Sequence, residues 1–349
     1  MQRISNSGNR IPSLDGLRAL SIGAVLVGHV ADTQGAPAAL SVLAHSGYLG
    51  VRMFFVISGY LITSLLLREK AAKGGISLRD FYVRRTIRIW PAFYTYVIAV
   101  VLLAALGFLQ IQRSDVAYAA TFTMNYHGDR GWALNHTWSL AVEEQFYLLW
   151  PLGLMALSRV VAGRVAIGVL IVVPLVRALM WYTFGASDTA MTREFQAVSD
   201  ALAAGACLAI FSDRLAGMRA YCAFVRSAAS ALLGVALVGI STYSFKISPA
   251  VFYVWMQSLS NIGMILILQH AIAAQQGTIF KFLNLRAVAY VGVISYSLYL
   301  WQELFLDATS WSWYARFPQN LIFTVMASLL SYYLVEKPFL RLGRRFRSR

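Results

Sequence analysis

Charged residues are scarce in this sequence, and acidic residues are the scarcest. Only 13% of the 349 residues are charged and 58% are hydrophobic, which is far more apolar than a soluble domain of this length needs. The composition therefore excludes a soluble globular protein and indicates a polytopic membrane protein. The 15 Asp and Glu stand against 30 Lys and Arg, a net charge of +15. In a membrane protein this excess indicates loops that face an anionic cytoplasmic leaflet, and no nucleic-acid motif accompanies it.

Cysteine is nearly absent as well. Its two copies, Cys207 in an apolar stretch and Cys222 in a basic one, form neither a disulfide framework nor the spacing of a metal site. We therefore expect no metal ion. The sequence also lacks internal repeats and any loop long enough for a second globular domain. We expect one transmembrane domain over residues 1–349, with no appended soluble domain.

Long apolar runs, by contrast, are plentiful. Windows of about 20 residues, the length that crosses a bilayer as a helix, predict an all-α protein with about ten transmembrane helices. The predicted spans cover residues 14–31, 47–67, 91–109, 137–157, 164–183, 198–212, 228–243, 250–270, 287–305 and 319–335.

Lys and Arg are distributed unevenly between the connections of these spans. The N-terminal segment, the loop after the second span and the C-terminal tail are rich in them, whereas the loops at 32–46, 110–136 and 306–318 are poor in them. Because cytoplasmic loops carry the excess of Lys and Arg, we predict that both termini lie in the cytoplasm.

The first span, LDGLRALSIGAVLVGHV, carries two ionisable side chains, Arg18 and His29. Such groups inside a membrane span are costly, and they indicate function. Eleven residues at roughly 100° each bring His29 back to within about 20° of Arg18, so a helix places both on one face. The structural alternative is an Arg that snorkels to the interface and a buried core His.

The fourth span, HTWSLAVEEQFYLLWP, carries Glu143 and Glu144. In the predicted topology the first span runs outward and the fourth inward, so His29 and these glutamates lie at similar depth. Neighbouring helical residues point about 100° apart, and we expect only one glutamate to face the site. A carboxylate beside an imidazole fixes its tautomer and raises its basicity, as a general base requires. A structural ion pair between helices is the alternative.

The segment FYVRRTIRIWPAFY leads into the third span with Arg84, Arg85 and Arg88. Arg85 and Arg88 lie three residues apart on one helical face, where guanidinium groups can bind phosphates bidentately. Read alone, they are equally typical of a cytoplasmic loop that sets the topology. Pro91 is expected at the start of the helix, a position that favours proline.

Taken together, the motifs resemble the membrane-bound acyltransferase-3 family. They are LDGLRA, an Arg and a His separated by ten residues, FFVISG, RRTIRIWP, HTWSLAVEEQFYLLWP, ISYSLYLW and VEKP, and they cover almost the whole chain in this order. The resemblance implies ten transmembrane helices in a bacterial cytoplasmic (inner) membrane and no permanently bound cofactor. It implies transfer of an acyl group, usually acetyl, from cytosolic acyl-coenzyme A to a hydroxyl of a carbohydrate or glycolipid.

The resemblance also implies roles for individual residues. His29 would act as general base on the acceptor hydroxyl, with an acyl-histidine intermediate as a second route. The implied catalytic residues are His29, Glu143 and Glu144; the coenzyme A donor is expected at Arg84, Arg85 and Arg88; and substrate contacts are expected from Asp15, Arg18, Trp138, Ser139 and Tyr299. The oligomeric state stays open.

Two positions depart from the family pattern. Arg52 stands where the family commonly has Asp, and Gln302 stands where it commonly has His. Gln forms hydrogen bonds but carries no proton at neutral pH, so either change can mark a different acceptor or an inactive partner protein.

The alternative class is a transporter or flippase of a lipid-linked glycan. Intramembrane His, Glu and Arg also suit a proton relay. The inverted repeats and paired broken helices typical of carriers are not evident in this sequence.

Overall fold

The computed structural model describes residue 11, residues 13–44 and residues 46–345 of the chain. Arg3, Arg10 and the last four residues of the basic tail lie outside the described residues. The described part of the chain is helical and contains no β-strand, as the sequence predicts. Its longer helices are α1 (Leu14–Val30), α2 (Ser46–Lys73), α3 (Leu78–Ala105), α4 (Thr137–Ala156), α5 (Arg159–Tyr182), α6 (Phe195–Gly217), α7 (Ala228–Ile247), α8 (Gln257–Ala273) and α9 (Gln319–Ser331).

Shorter helical segments connect or extend these helices. The α-helical ones are Arg113–Ala120, Trp132–Asn135, Asp188–Arg193, Arg219–Arg226, Pro249–Val251, Thr278–Leu283, Arg286–Val293, Ser295–Trp301 and Lys337–Arg345. The 3-10 turns are Ala38–Leu43, Met124–Tyr126, Gln302–Leu304 and Trp313–Ala315. Two π-helical segments, Phe252–Met256 and Tyr332–Glu336, continue directly into Gln257–Ala273 and Lys337–Arg345.

Within the described residues, six helical stretches are long and apolar enough to cross a membrane, which supports a multi-pass membrane protein. They are Ser46–Lys73, Leu78–Ala105, Arg159–Tyr182, Asp188–Gly217, Ala228–Ile247 and Pro249–Ala273. Each matches a predicted span. The count of ten and the cytoplasmic location of both termini stay predictions.

The other four predicted spans are not among these six stretches, because each is too short, interrupted or not apolar enough. α1 has 17 residues, so its length of about 26 Å is slightly less than a bilayer core of about 30 Å. α4 has 20 residues, but its apolar sequence is interrupted by Glu143, Glu144 and Gln145. The predicted span 287–305 is broken into Arg286–Val293, Ser295–Trp301 and the turn Gln302–Leu304. α9 has 13 regular residues before its π-helical segment.

The expectation that Pro91 begins a helix is wrong. α3 begins at Leu78, and its N-cap Ser77 accepts a hydrogen bond from the backbone N–H of Asp80 at 3.3 Å. A polar N-cap that satisfies a free N–H group is a stronger start signal than proline, and here it lies well before the apolar run. Consequently, Arg84, Arg85 and Arg88 belong to the same continuous helix as the apolar segment.

The chain divides into two compact units. The first unit comprises Met1–Leu20, Arg52–Gly75 and Phe146–Val293. Within it, α2 and α6 approach so closely that a Cβ atom on Gly59 would overlap the Leu202 carbonyl, and one on Gly205 would overlap the Val56 carbonyl. Small residues such as Gly59 and Gly205 allow this backbone contact between membrane helices.

The second unit comprises Ser21–Val51, Ile76–Gln145 and Ile294–Arg349. Its core contains the fully buried side chains of Phe93, Tyr96, Leu134 and Leu300. These four side chains belong to α3, to the short helix Trp132–Asn135 and to the short helix Ser295–Trp301. The second unit as a whole holds most of the residues predicted to form the site, and only Asp15 and Arg18 belong to the first unit.

Candidate active site

His29 lies in the last turn of α1, and its imidazole contacts Gln302. The distance between His29 Nδ1 and Gln302 Oε1 is 2.5 Å, and Gln302 is completely buried. A carboxamide oxygen only accepts hydrogen bonds, so Nδ1 carries the proton and donates it. The lone pair of the imidazole is therefore on Nε2, and this is the atom that can accept a proton from a substrate.

The partner of His29 Nδ1 differs from the sequence-based expectation. A carboxylate from Glu143 or Glu144 was expected to hold the imidazole, whereas the structure places the neutral amide of Gln302 there. An amide oxygen fixes the tautomer as a carboxylate would, but it stabilises the protonated imidazole less. The departure at Gln302 thus lies in direct contact with the predicted base.

Trp132 closes another side of this imidazole. The ring centroids of His29 and Trp132 are 5.4 Å apart, and the rings meet edge to face at 69°. The indole Nε1 of Trp132 and the amide Nε2 of Gln302 are buried and have no hydrogen-bond partner. Buried donors without partners are costly, and native structures satisfy nearly all of them. Their presence beside His29 marks a place where a polar ligand can bind.

A second imidazole, His136, lies in the same unit between the helix Trp132–Asn135 and α4. Its Nδ1 is 2.9 Å from Glu303 Oε2, and its backbone N–H donates to the same oxygen at 2.8 Å. The other oxygen of Glu303 accepts from Asn135 Nδ2 at 3.2 Å. Glu303 and His136 are each 1% exposed, so this pair is fully buried.

Ser139 and Tyr299, two residues predicted to contact substrate, contact each other. Their hydroxyl oxygens are 2.6 Å apart, and the Tyr299 hydroxyl also donates to the His136 carbonyl at 3.0 Å. Trp138, the third predicted residue of this region, is 8% exposed. The observed contacts of Ser139 and Tyr299 hold the segment around His136 in place.

Of the two predicted glutamates, Glu144 lies near Arg85 of α3. Glu144 accepts a hydrogen bond from the Trp90 side chain and lies within electrostatic range of Arg85 and Glu143. Its Oε1 is buried without a partner. The structure therefore brings Glu144 to the basic helix.

The three predicted donor-binding arginines lie on α3 and are each partly exposed. The Arg85 guanidinium lies 5.9 Å above the Phe81 ring, which restricts its orientation. Arg88 lies near Tyr296, whose hydroxyl donates to the Ile89 carbonyl at 2.8 Å. Placement on one helix agrees with the spacing argument for Arg85 and Arg88.

Asp15 and Arg18 belong to the first unit, in the first turns of α1. Both side chains are partly exposed, and both already interact with other groups of the protein. The prediction that one continuous helix carries both Arg18 and His29 is confirmed, since both residues lie in α1.

Arg52, the other departure from the family pattern, forms a buried cluster in the first unit. Its guanidinium binds Asp200 at 3.1 Å and the side-chain oxygens of Gln257 and Asn261 at 2.7 Å each. Arg177 binds the second oxygen of Asp200 at 3.0 Å. Arg52 is 1% exposed, so its positive charge is used in packing α2 against α6 and α8.

Sequence reasoning did not assign roles to Gln302 as a partner of His29, to Glu303, or to Trp132. The sequence did contain one signal for Glu303. It is an acidic residue inside a predicted span, and burying its charge in a membrane costs as much free energy as burying that of Glu143. No local signal pairs Gln302 with His29, since 273 positions separate them. Among the described residues, no group of three or more His, Cys, Asp or Glu is arranged to hold a metal ion.

Comparison with known proteins extends these observations. Residues 11–336 match the acyltransferase domain family. The chain is 28% identical over 375 residues to the O-acetyltransferase OatA of Staphylococcus aureus strains NCTC 8325 and COL, an alignment that covers 95% of this chain and 58% of OatA. It is 26% identical over 358 residues to a second Staphylococcus aureus protein, SACOL0978 of strain COL, with the same coverage. The chain thus spans little more than half the length of these relatives. No solved structure matches it.

Proposed function

The chain belongs to the acyltransferase domain family, and on that premise we propose that it is a membrane O-acetyltransferase. It moves an acetyl group from acyl-coenzyme A to a hydroxyl of a carbohydrate or glycolipid, in the cytoplasmic membrane of a bacterium. The relationship to O-acetyltransferases supports the transferred group and favours this function over a transporter or flippase.

The hydrogen bond between His29 and Gln302 is the observation on which the mechanism rests. Because Nδ1 donates to Gln302, Nε2 is free to act as general base. The acceptor oxygen attacks the thioester carbonyl carbon while its proton moves to His29 Nε2. A C–O bond forms and the C–S bond breaks. The thiolate then takes the proton from His29, which leaves the ester, free coenzyme A and neutral His29.

The donor is a charged nucleotide thioester that cannot enter lipid. Its phosphates bind Arg84, Arg85 and Arg88 on α3, because guanidinium groups match phosphate oxygens bidentately. Glu143 and Glu144 remain predicted catalytic residues, and the contact of Glu144 with Trp90 near Arg85 supports an action close to the donor. Asp15, Arg18, Trp138, Ser139 and Tyr299 remain predicted to contact or enclose the substrates.

The test follows label from acetyl-coenzyme A to an extracted surface glycan fraction, with purified protein in liposomes. The critical variant is His29→Asn, because the Asn amide can still donate to Gln302 but has no atom at the position of Nε2. We expect transfer to fall by about 100-fold or more, the usual contribution of a general base. His127→Asn serves as the matched control, since a side-chain oxygen also holds the His127 imidazole, that of Asp115 at 3.0 Å, in the same unit.

Two results would contradict this function. Transfer by His29→Asn at the wild-type rate would remove His29 from the chemistry. A folded wild-type protein that moves a glycan across the membrane without consuming acetyl-coenzyme A would instead establish the carrier function.

A further inference from the structure

One 3-10 turn holds two imidazoles through adjacent residues. Gln302 binds His29 Nδ1 at 2.5 Å, and Glu303 binds His136 Nδ1 at 2.9 Å. Both contacts lie in the second unit. Since consecutive residues of a rigid turn fix both rings, the positions of His29 and His136 are linked.

The hydrogen bonds of Glu303 determine the tautomer of His136. The carboxylate accepts from Asn135 Nδ2, from the His136 backbone N–H and from His136 Nδ1. Because Nδ1 carries the donated proton, the neutral ring has its lone pair on Nε2. This atom is buried and has no hydrogen-bond partner.

The neighbours of the His136 ring do not satisfy Nε2. Tyr96 and Tyr299 contact the ring edge to face, with centroid distances of 5.3 Å and 5.4 Å. Their hydroxyls donate instead to backbone carbonyls, Tyr96 to Ala133 at 2.5 Å and Tyr299 to His136 itself at 3.0 Å. The ring is therefore fixed on several sides while its acceptor atom stays unpaired.

Other unpaired polar atoms occur in the same set of contacts. They are Nε2 of Gln302, Nε1 of Trp132 and Nε1 of Trp301, and each is a buried N–H donor. The ring of Trp132 contacts the ring of His29. The ring centroids of Trp301 and Tyr96 are 5.3 Å apart, and the Tyr96 ring in turn contacts the His136 ring. A ligand with several hydroxyls matches this set, because each hydroxyl both donates and accepts a hydrogen bond.

We propose that His136 is an acceptor-binding residue, whose Nε2 accepts a hydrogen bond from a hydroxyl of the polyhydroxylic substrate while Glu303 holds the ring in the required tautomer. This inference rests on the proposed function for the identity of the site, but it assigns a separate role. His29 removes the proton from the reacting hydroxyl, and His136 binds a hydroxyl of the same acceptor.

A purely structural pair would have a different form. A buried His and Glu that only connect helices gain nothing from an unpaired nitrogen, whose desolvation is unfavourable. The pair of His127 and Asp115 in the same unit is a useful comparison. His127 is 11% exposed and stacks on Tyr118 with centroids 4.3 Å apart.

The experiment measures binding, so that it does not depend on turnover. The probe is the extracted surface glycan fraction, fluorescently labelled, and its dissociation constant is measured with purified protein in detergent. Binding of coenzyme A to the same samples reports on folding and on the donor site. The two informative variants are His136→Asn and His136→Gln.

These variants separate the two nitrogens of the ring. Asn places its amide at the position of Nδ1, so it can still donate to Glu303 but lacks an atom at Nε2. Gln places its amide near the position of Nε2. We expect His136→Asn to weaken glycan binding about tenfold, the loss of one or two hydrogen bonds, with coenzyme A binding unchanged. His136→Gln should recover most of the affinity, and His127→Asn should bind as the wild type does.

The outcomes distinguish this inference from the proposed function. Wild-type glycan affinity in His136→Asn would overturn the binding role of His136. Loss of coenzyme A binding together with glycan binding would show a structural role, and would overturn it as well. If the wild type binds the glycan through His136 but transfers no label, the proposed chemistry fails and the binding role stands.

Discussion

At the scale of single residues, Gln302 determines which nitrogen of His29 is basic. Its amide oxygen accepts from Nδ1 at 2.5 Å, and this places the lone pair on Nε2. We predict that Gln302→Leu lowers kcat for acetyl transfer by about 10- to 100-fold, because the imidazole then loses its fixed tautomer and orientation. The measurement is steady-state transfer of label from acetyl-coenzyme A to glycan.

Gln302→Glu provides the conservative comparison. Its carboxylate can still accept from Nδ1 and is nearly the same size, so transfer should stay within a few-fold of the wild-type rate. The KM for acetyl-coenzyme A should be unchanged in both variants. Equal kcat values for Gln302→Leu and the wild type would show that this contact does not orient the base.

The cluster of Arg52, Arg177 and Asp200 leads to a prediction about stability. Two buried guanidinium groups share one carboxylate, at 3.1 Å and 3.0 Å, so the cluster already has an excess positive charge. Asp200→Asn leaves both arginines buried without an anion, and we expect it to cost about 3–5 kcal/mol. Arg52→Met leaves a one-to-one pair of Arg177 and Asp200 and should cost less, about 1–3 kcal/mol for the hydrogen bonds lost by Gln257 and Asn261.

Thermal unfolding of the detergent-solubilised protein measures this order of stability. Asp213→Asn is the matched control, because Asp213 pairs with Arg159 at 2.6 Å in the same unit but is 78% exposed. A surface pair of this kind contributes about 0–1 kcal/mol. If Asp200→Asn unfolds at the temperature of Asp213→Asn, the buried cluster is not a stabilising unit.

Residues with an unusual chemistry for their surroundings could be found from the sequence, whereas their partners could not. His29 was identified because an imidazole in an apolar stretch is costly. Its contact with Gln302 spans 273 positions, and that of Arg52 with Asp200 spans 148. Such pairs are set by helix packing, which periodicity within one helix does not determine. The sequence therefore shows the charge of Arg52 but not what it binds, and the structure supplies the partner, Asp200.

At the scale of helices, α3 combines a basic N-terminal half with an apolar C-terminal half. We predict that Arg88→Gln raises the KM for acetyl-coenzyme A about tenfold or more, because a charge-assisted phosphate contact is lost. Arg79→Gln is the control, since Arg79 lies in the first turn of the same helix and is exposed. The KM for the glycan should not change in either variant. Equal donor KM values for the two variants would show that the arginines only set topology.

Helix existence was predictable and helix boundaries were less so. The apolar runs at 47–67 and 164–183 appear as α2 and α5, but both helices extend beyond the runs. α3 begins before its apolar run because Ser77 caps it, and a long polar first half does not register in a hydropathy window. The break after Val293 in the predicted span 287–305 does not show in a hydropathy window, since the two serines that follow it, Ser295 and Ser297, lie among apolar residues.

At the scale of the whole molecule, the positive charge is concentrated in particular connections of an otherwise apolar chain. The segment from Arg68 to Arg88 contains seven Lys and Arg, whereas the segment 110–136 contains Arg113 and Arg130 together with two Asp. The positive-inside tendency therefore predicts that the first segment faces the cytoplasm and the second faces outward. This orientation also places Arg84, Arg85 and Arg88, the arginines proposed to bind the donor, on the cytosolic side, where the proposed acyl-coenzyme A donor is found.

Two glycines provide a matched test of this orientation. Gly75 and Gly128 are both exposed, and a side chain at either would meet no atom within 4 Å. In a background with Cys207→Ala and Cys222→Ala, we predict that a membrane-impermeant maleimide labels Gly128→Cys in intact cells. Gly75→Cys should react only after the membrane is permeabilised, because its flanking Lys and Arg hold it at the cytoplasmic face. The opposite pattern would place both termini outside and would separate Arg85 and Arg88 from the cytosolic donor.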